Sequence, residues 1–291
     1  MSKLNVEKFL VPPDTRVKLK DYSTSRTEPF ESKSEAEEKR RDDTLKLADW
    51  QAKLYAQNTH ALLIILQGID AAGKDSTIKH VMSGVNPTGC EVTSFKTPST
   101  EELNHDYLWR HVKALPERGK IGIFNRSYYE EVLVVRVHPE LLAHERIQPS
   151  KKRDKLWSAR YQQINEFERY LVENGTEILK VFLHLSKEQQ KARFLSRLEA
   201  ADKNWKFEPS DVKERAFWDE YVEAFEDMLS HTSTEHAPWH VIPADHKWFT
   251  QVSVADIIIR KLASLDLRFP VMDAAHREAL EAAKQILENE S

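Results

Sequence analysis

The sequence predicts an α/β protein, a three-layer α/β/α sandwich with a parallel sheet of about five strands and a helical lid. Three observations carry that prediction. The most apolar run, Ala61 to Leu66, leads into a turn bracketed by Gly68 and Gly73, two of only seven glycines in the chain. Short strand-like segments then alternate with longer stretches of helical spacing, as they do where crossover helices join parallel strands. Near residues 200–211 a charged stretch interrupts the alternation, as a segment that closes over a ligand would.

The elements follow in order. Residues 1–33 are polar and carry Pro12, Pro13 and Pro29, which reads as an extended N-terminal arm. A helix over 34–57 is rich in Glu, Lys, Ala and Leu, with Ser34 and Glu37 spaced as a capping box. Leu45, Leu47, Trp50, Leu54 and Tyr55 are spaced for one face of it. A strand over 61–67 and a helix over 73–83 flank the glycine turn. The turn Asn86-Pro87-Thr88-Gly89 opens a second strand over 91–95, followed by a helix over 100–115 and a turn at 116–120. A third strand covers 121–124. The segment 132–137 has strand-favouring residues, yet Tyr129, Val132, Leu133 and Arg136 fit helical spacing, and it is read as a helix. A long helix over 152–174 is closed by Gly175. The fourth strand, 177–185, ends at Ser186, which is placed to cap the next helix. A short fifth strand spans 239–243, and helices over 252–265 and 273–290 end the chain. The expected organisation is the arm, a main domain over 34–270 with its lid at about 190–215, and a C-terminal helix over 271–291.

Composition removes several classes of function. A net charge of −4 gives the molecule no overall pull on a polyanion, so any such site must come from locally segregated Lys and Arg. No basic run is longer than three residues, as in Lys151-Lys152-Arg153, which argues against a nucleic-acid binder. A single cysteine, Cys90, allows no intramolecular disulfide and fits a reducing compartment. Met1 to Glu7 lack the apolar stretch of a signal peptide, and no apolar run approaches the ~20 residues that span a bilayer. The expectation is a cytoplasmic protein with no membrane contact.

Three groups of residues carry chemistry. In the first, Gly68, Ala71, Ala72, Gly73, Lys74, Asp75 and Ser76 form a phosphate-binding loop. Glycines let successive backbone N–H groups turn toward one centre, the helix N-terminus adds partial positive charge, and Lys74 adds a full one. Asp75 stands where the usual pattern has a metal-binding hydroxyl. Asp70 lies inside the loop, an odd place for a carboxylate unless a divalent cation is bound there. The second group follows the third strand: Asn125, Arg126, Ser127, Tyr128, Tyr129, Glu130. Small-molecule kinases often end this strand in Asp-Arg. Asn125 removes a charge and a general base, which is tolerable when the acceptor is a phosphate already ionised at pH 7. The third is Arg193 and Arg197, four apart on one helix face, where two like charges are acceptable with an anion between them. Lys96, Arg110 and Arg136 are further basic candidates, each equally readable as a surface charge.

Together, Gly68 to Asp75, Gly84-Val-Asn-Pro-Thr-Gly89, Phe124 to Glu130, the Arg193/Arg197 pair and Trp205-Lys206-Phe207 resemble the polyphosphate kinase 2 family, from about Asp14 to Pro270. The resemblance implies a P-loop kinase fold with an extra lid, and Mg²⁺-dependent transfer of phosphate between inorganic polyphosphate and nucleotides. It matches Asp70 and Lys74 to essential loop residues, Asp70 also to the metal, Arg126 to the second motif, and Arg193 and Arg197 to the lid. Asn125 with Tyr129-Glu130 resembles the class III subgroup, which accepts both AMP and ADP and so forms ADP and ATP reversibly; both Asn125 and Glu130 then lie near the acceptor nucleotide. Lys96, Arg136 and Lys206 are expected to line a polyphosphate groove, and a homo-oligomer, dimer or tetramer, is expected. Two other readings stay open at this point: an ATP-consuming nucleoside monophosphate kinase, and a non-catalytic nucleotide-binding protein with a degenerate loop.

Overall fold

The sheet is five-stranded and wholly parallel, in the order β2-β3-β1-β4-β5. The computed structural model describes residues 4–145, 153–200 and 209–290. The strands are β1 Ala61–Gln67, β2 Cys90–Ser94, β3 Ile121–Asn125, β4 Thr176–His184 and β5 Trp239–Pro243. All five expected strands are present, within one or two residues of their predicted bounds. β1 is buried along its whole length because both faces are covered, which is why it reads as a continuous apolar run rather than an alternating one.

Successive residues of a strand point to opposite faces, so β1 feeds two cores. Leu62, Ile64 and Leu66 pack with helices α1 (Ala36–Gln57) and α2 (Lys74–Val81) and with a helix near the C-terminus described below. Leu63 and Ile65 face the other layer, with Phe124, Tyr128 and Tyr129. Between β2 and β3 lie only a three-residue 3-10 turn (Glu102–Asn104) and the four-residue α3 (Trp109–Val112), and α4 (Val134–Val137) agrees with the helical reading of 132–137. The second layer is completed by α5 (Arg153–Glu173). After β4 come α6 (Lys187–Glu199), α7 (Pro209–Glu214) and α8 (Trp218–Thr232), then α9 (Lys247–Ala263), which packs on α1 and α2, and α10 (Ala274–Glu288). Ser186 caps α6 by accepting from the N–H of Gln189, as expected, and Gly175 closes α5 at φ 86°.

Four expectations need correction. The helix over 100–115 is two short pieces, Glu102–Asn104 and α3. Ser99 and Glu102 bond each other's backbone N–H, and the Asp106 carboxylate takes the N–H of Leu108, so local side chains compete with a continuous helix. Ser34 and Glu37 form no capping box: α1 begins at Ala36 without a side-chain cap, and the local side-chain bonds fall two residues earlier. Ser32 Oγ accepts from Glu35 N at 3.3 Å and the Glu35 carboxylate accepts from Glu31 N at 2.8 Å. The buried face of α1 is Asp43, Leu47, Gln51 and Leu54, while Leu45 and Tyr55 are exposed. Finally, α8 is an element the sequence reading did not contain. It buries Tyr221, Ala224, Phe225, Met228 and Leu229 against the second core.

The N-terminal stretch lies along the domain: Leu4, Phe9 and Phe30 enter one core and Val11, Val17 and Leu19 the other. In α10, Asp273 caps the first turn and every described residue is exposed. No helix among the described residues is long and apolar enough to cross a membrane.

Candidate active site

Parallel α/β sheets bind ligands beyond the carboxyl ends of their strands, where neighbouring connections diverge. β1 sits between β3 and β4, and its following loop, Gly68–Gly73, meets the segment after β3 at that edge. Gly68 (φ 155°) and Gly73 (φ 104°) take backbone conformations that side chains oppose, and a Cβ at Gly68 would lie 2.9 Å from the carbonyl oxygen of Leu183. Ala71 (φ 64°) and Arg126 (φ 65°) hold left-handed conformations without being glycine, local strain of the kind that collects at functional sites.

The carbonyls of this loop are held from behind by α6. Gln190 Nε2 donates to Asp70 O at 3.0 Å, and Arg193 Nη1 donates to Ala71 O at 2.7 Å and Ala72 O at 2.9 Å. Three successive carbonyls turned toward α6, with the Ala72 N–H bonded to Ile69 O at 3.1 Å, fix the loop's backbone so that its remaining N–H groups can turn the other way, which is what an anion cradle needs. Arg193 also reaches Ala244 O and Asp245 O with its second nitrogen. It is 7% exposed, and burial lowers its pKa to about 10. The structure therefore places Arg193 behind the loop, bonded to four carbonyls. The sequence reading places it in the lid, with an anion held between it and Arg197. Arg197 stays partly exposed, its guanidinium 5.6 Å from the Phe194 ring centroid.

Lys74 is also drawn in. Its Nζ donates to Gly68 O at 2.6 Å and Ile69 O at 3.3 Å, and burial brings its pKa down to about 8. Ser76 Oγ caps back to Gly73 O at 2.9 Å.

Arg126 bridges the loop to the end of β3. It donates to the Asp70 carboxylate at 2.5 Å and to the Glu130 carboxylate at 2.9 Å, and Gln67 Nε2 holds the other Glu130 oxygen at 3.1 Å. Glu130, and after it Asp70, raise the Arg126 pKa against the cost of burial. Gly68, Asp70, Arg126 and Glu130 line one crevice, closed on the far side by Gln190, Glu214, Tyr221 and Phe225. Tyr221, on the α8 helix the sequence reading lacked, donates to Glu214 at 2.9 Å; burial foremost, then Glu214, raises its pKa. Ser127 caps the turn after β3 by accepting from Tyr129 N. Asn125 Nδ2 donates to Asp75 Oδ1 at 2.7 Å.

Behind this segment lies a buried ionic network with no signal in the sequence. Glu168 and Lys180, both fully buried, pair at 2.6 Å, and Glu168 also accepts from Tyr128 Oη at 2.9 Å and Tyr129 Oη at 2.8 Å. Arg160 pairs with Glu131 at 2.8 Å. Residues 128–131 are thus anchored from below, while Arg126 and Glu130 face the crevice.

Of the groove candidates, Lys96 is exposed, and its carbonyl takes Arg110 at 2.8 Å. Arg136 is committed elsewhere, to Tyr161 at 2.8 Å and to Asp227 at 2.5 Å, and does not line the crevice. Lys206 and Trp205, with the rest of residues 201–208 of the expected lid, lie outside the described residues. Among the described residues no cluster of three or more His, Cys, Asp or Glu could hold a metal by itself. Mg²⁺ takes one or two carboxylates and completes its shell with water and substrate phosphates. Asp70, inside the phosphate loop and about a third exposed, is a carboxylate of that kind.

A parallel sheet, a glycine-bracketed anion loop and an arginine at the end of the neighbouring strand define a kinase of the P-loop type. The family model of polyphosphate kinase 2 matches residues 30–270, and the chain belongs to that family. It is 46% identical over 98% of its length, and 99% of the relative's, to an ADP-polyphosphate phosphotransferase of Rhodopseudomonas palustris. It is 42% identical to an AMP/ADP-polyphosphate phosphotransferase of Meiothermus ruber, covering 93% of this chain and 97% of that one. Among solved structures, polyphosphate kinase 2 from Arthrobacter aurescens superposes with a TM-score of 0.86 at 36% identity, covering 95% of this chain and 96% of that one.

Proposed function

We propose that this protein moves phosphoryl groups reversibly between inorganic polyphosphate and nucleotides, AMP to ADP and ADP to ATP, in the manner of the class III subgroup. The geometric observation that carries the reading is the Arg126 bridge, which joins the phosphate loop to the end of β3 across one crevice. The names of the two relatives, an ADP- and an AMP/ADP-polyphosphate phosphotransferase, supply the substrate class.

The terminal phosphate of the chain lies over the loop amides and Lys74. Arg126 exchanges its carboxylate partners for phosphate oxygens, and a phosphate of AMP or ADP attacks in line. That acceptor is ionised at neutral pH, so no general base is required at Asn125. Asp70 would hold a bound Mg²⁺ in part, and the ion would supply charge neutralisation on the phosphate oxygens. Arg197 faces the transferring group, Lys96 and Lys206 guide the polyphosphate, and Arg193 and Gln190 keep the loop amides turned outward. The enzyme works in the cytoplasm as a homo-oligomer, dimer or tetramer, without nucleic acid or membrane.

The test is to supply purified protein and Mg²⁺ with long-chain polyphosphate and either AMP or ADP, with ATP rigorously absent. The proposal expects ADP from AMP and ATP from ADP. Activity only after ATP is added would favour a nucleoside monophosphate kinase. No transfer under any condition would favour a non-catalytic nucleotide-binding protein.

A further inference from the structure

Two residues depart from the pattern of phosphate-loop kinases: Asp75, where a hydroxyl is usual, and Asn125, where a carboxylate is usual. The structure brings the two departures together. Asn125 closes β3 and is 9% exposed; Asp75 is exposed in the first turn of α2, where the helix N-terminus favours a carboxylate. Asn125 Nδ2 donates to Asp75 Oδ1 at 2.7 Å and lies 3.3 Å from Ser94 Oγ on β2.

A carboxylate can only accept, so it decides which end of the Asn125 amide turns toward it. With Nδ2 committed to Asp75 and Ser94, Oδ1 is the atom left over. It has no partner among the described residues, and it is not among the buried atoms sealed from solvent. Beside Arg126, the end of β3 therefore presents a neutral acceptor oxygen rather than an N–H donor.

We propose that Asp75 is a positioning residue for the acceptor nucleotide, acting through Asn125. It holds the amide so that Oδ1 receives a hydrogen bond from a hydroxyl or amino group of the nucleotide. This rests on the phosphotransferase reading and refines it. The identities at 75 and 125 are consequently coupled. The pair takes one carboxylate and one amide, in either order. Two carboxylates would face each other at hydrogen-bond distance and repel, and two amides would leave the orientation of residue 125 unspecified.

The experiment is a double-mutant cycle with Asp75→Asn, Asn125→Asp and the exchanged pair, read by steady-state kinetics and thermal melting. Asp75→Asn is expected to raise the nucleotide KM by about 10-fold and to leave the polyphosphate KM within about 2-fold. Asn125→Asp alone is expected to lower kcat/KM for nucleotide by at least ~10-fold. The exchanged pair restores an amide–carboxylate bond and leaves a carboxylate oxygen facing the nucleotide, so it should return to within about 3-fold of the parent. Losses that simply multiply in the double variant would overturn the proposal, as would an equal rise in both KM values for Asp75→Asn. The melting cycle keeps the test separate from the functional reading. If the parent transfers no phosphate, the coupling is still read there, as a lower Tm in Asn125→Asp that the exchanged pair recovers. Additive Tm changes would overturn it.

Discussion

Replacing Glu168 by Gln removes one charge and almost no volume, and the structure says what that should cost. Glu168 and Lys180 are both fully buried, 2.6 Å apart, and the carboxylate also collects the hydroxyls of Tyr128 and Tyr129. Gln can still accept from the tyrosines, but the Lys180 ammonium loses its counter-charge in a fully buried site. Breaking a buried pair from one side typically costs about 3–5 kcal/mol. At roughly 2–4 °C per kcal/mol for a chain of this size, the Tm should fall by about 10 °C. The sign of the pH response adds a second reading. Burial already lowers the Lys180 pKa, with Glu168 opposing. Without Glu168 the lysine is held lower still, so the unfolded chain binds more protons than the folded one and the variant gains stability as pH rises. The assay is calorimetric melting at pH 7 and pH 9 of the parent, Glu168→Gln, and Glu168→Gln with Lys180→Met. The double variant should recover more than half of the loss, because a buried pair can be replaced by neutral side chains at little cost. A single variant melting within about 2 °C of the parent would refute the reasoning.

Two further outcomes are expected. Arg193→Gln should speed hydrogen exchange at the Ala72 amide, which is bonded to Ile69 O in the ligand-free protein, by at least ~10-fold and weaken tripolyphosphate binding, measured by mass spectrometry and calorimetry; unchanged exchange would mean that the guanidinium does not brace the loop. Because burial sets the Lys74 pKa at about 8, tripolyphosphate affinity should fall as pH rises from 7 to 9, since the neutral amine no longer attracts the anion. Titration calorimetry in buffers of matched ionic strength checks it, and a flat response would contradict the reading of Lys74 as the buried charge of the loop.

The parts of this molecule legible in its sequence are those where local chemistry and fold agree. The run Ala61–Gln67, the glycines at 68 and 73 and the helix after them are each the best use of those residues in isolation, and they come out as expected. The face of α8 was readable too: Tyr221, Ala224, Phe225, Met228, Leu229 and Thr232 follow helical spacing, though they come directly after a stretch that reads as lid. The segment 100–115 misleads for the opposite reason, since its apolar spacing suits a helix while Ser99, Glu102 and Asp106 satisfy the backbone locally. The position of Arg193 was not legible at all. Its partners are four backbone carbonyls from two distant segments, and carbonyls have no side-chain signature. The Asp75–Asn125 contact was hidden similarly. Each residue reads alone as a defect in its motif, and only the placement of β3 beside β1 turns two defects into one bond.

The central claim, that phosphoryl transfer from polyphosphate occurs at this loop, is tested most directly by comparing the parent with Lys74→Ala. Both are given ADP, Mg²⁺ and long-chain polyphosphate without ATP, and ATP formation is followed alongside the melting curve. The account predicts ATP formation by the parent and a loss of at least ~100-fold in the variant, with the cooperative melting transition preserved. A folded variant that keeps most of its activity would contradict it.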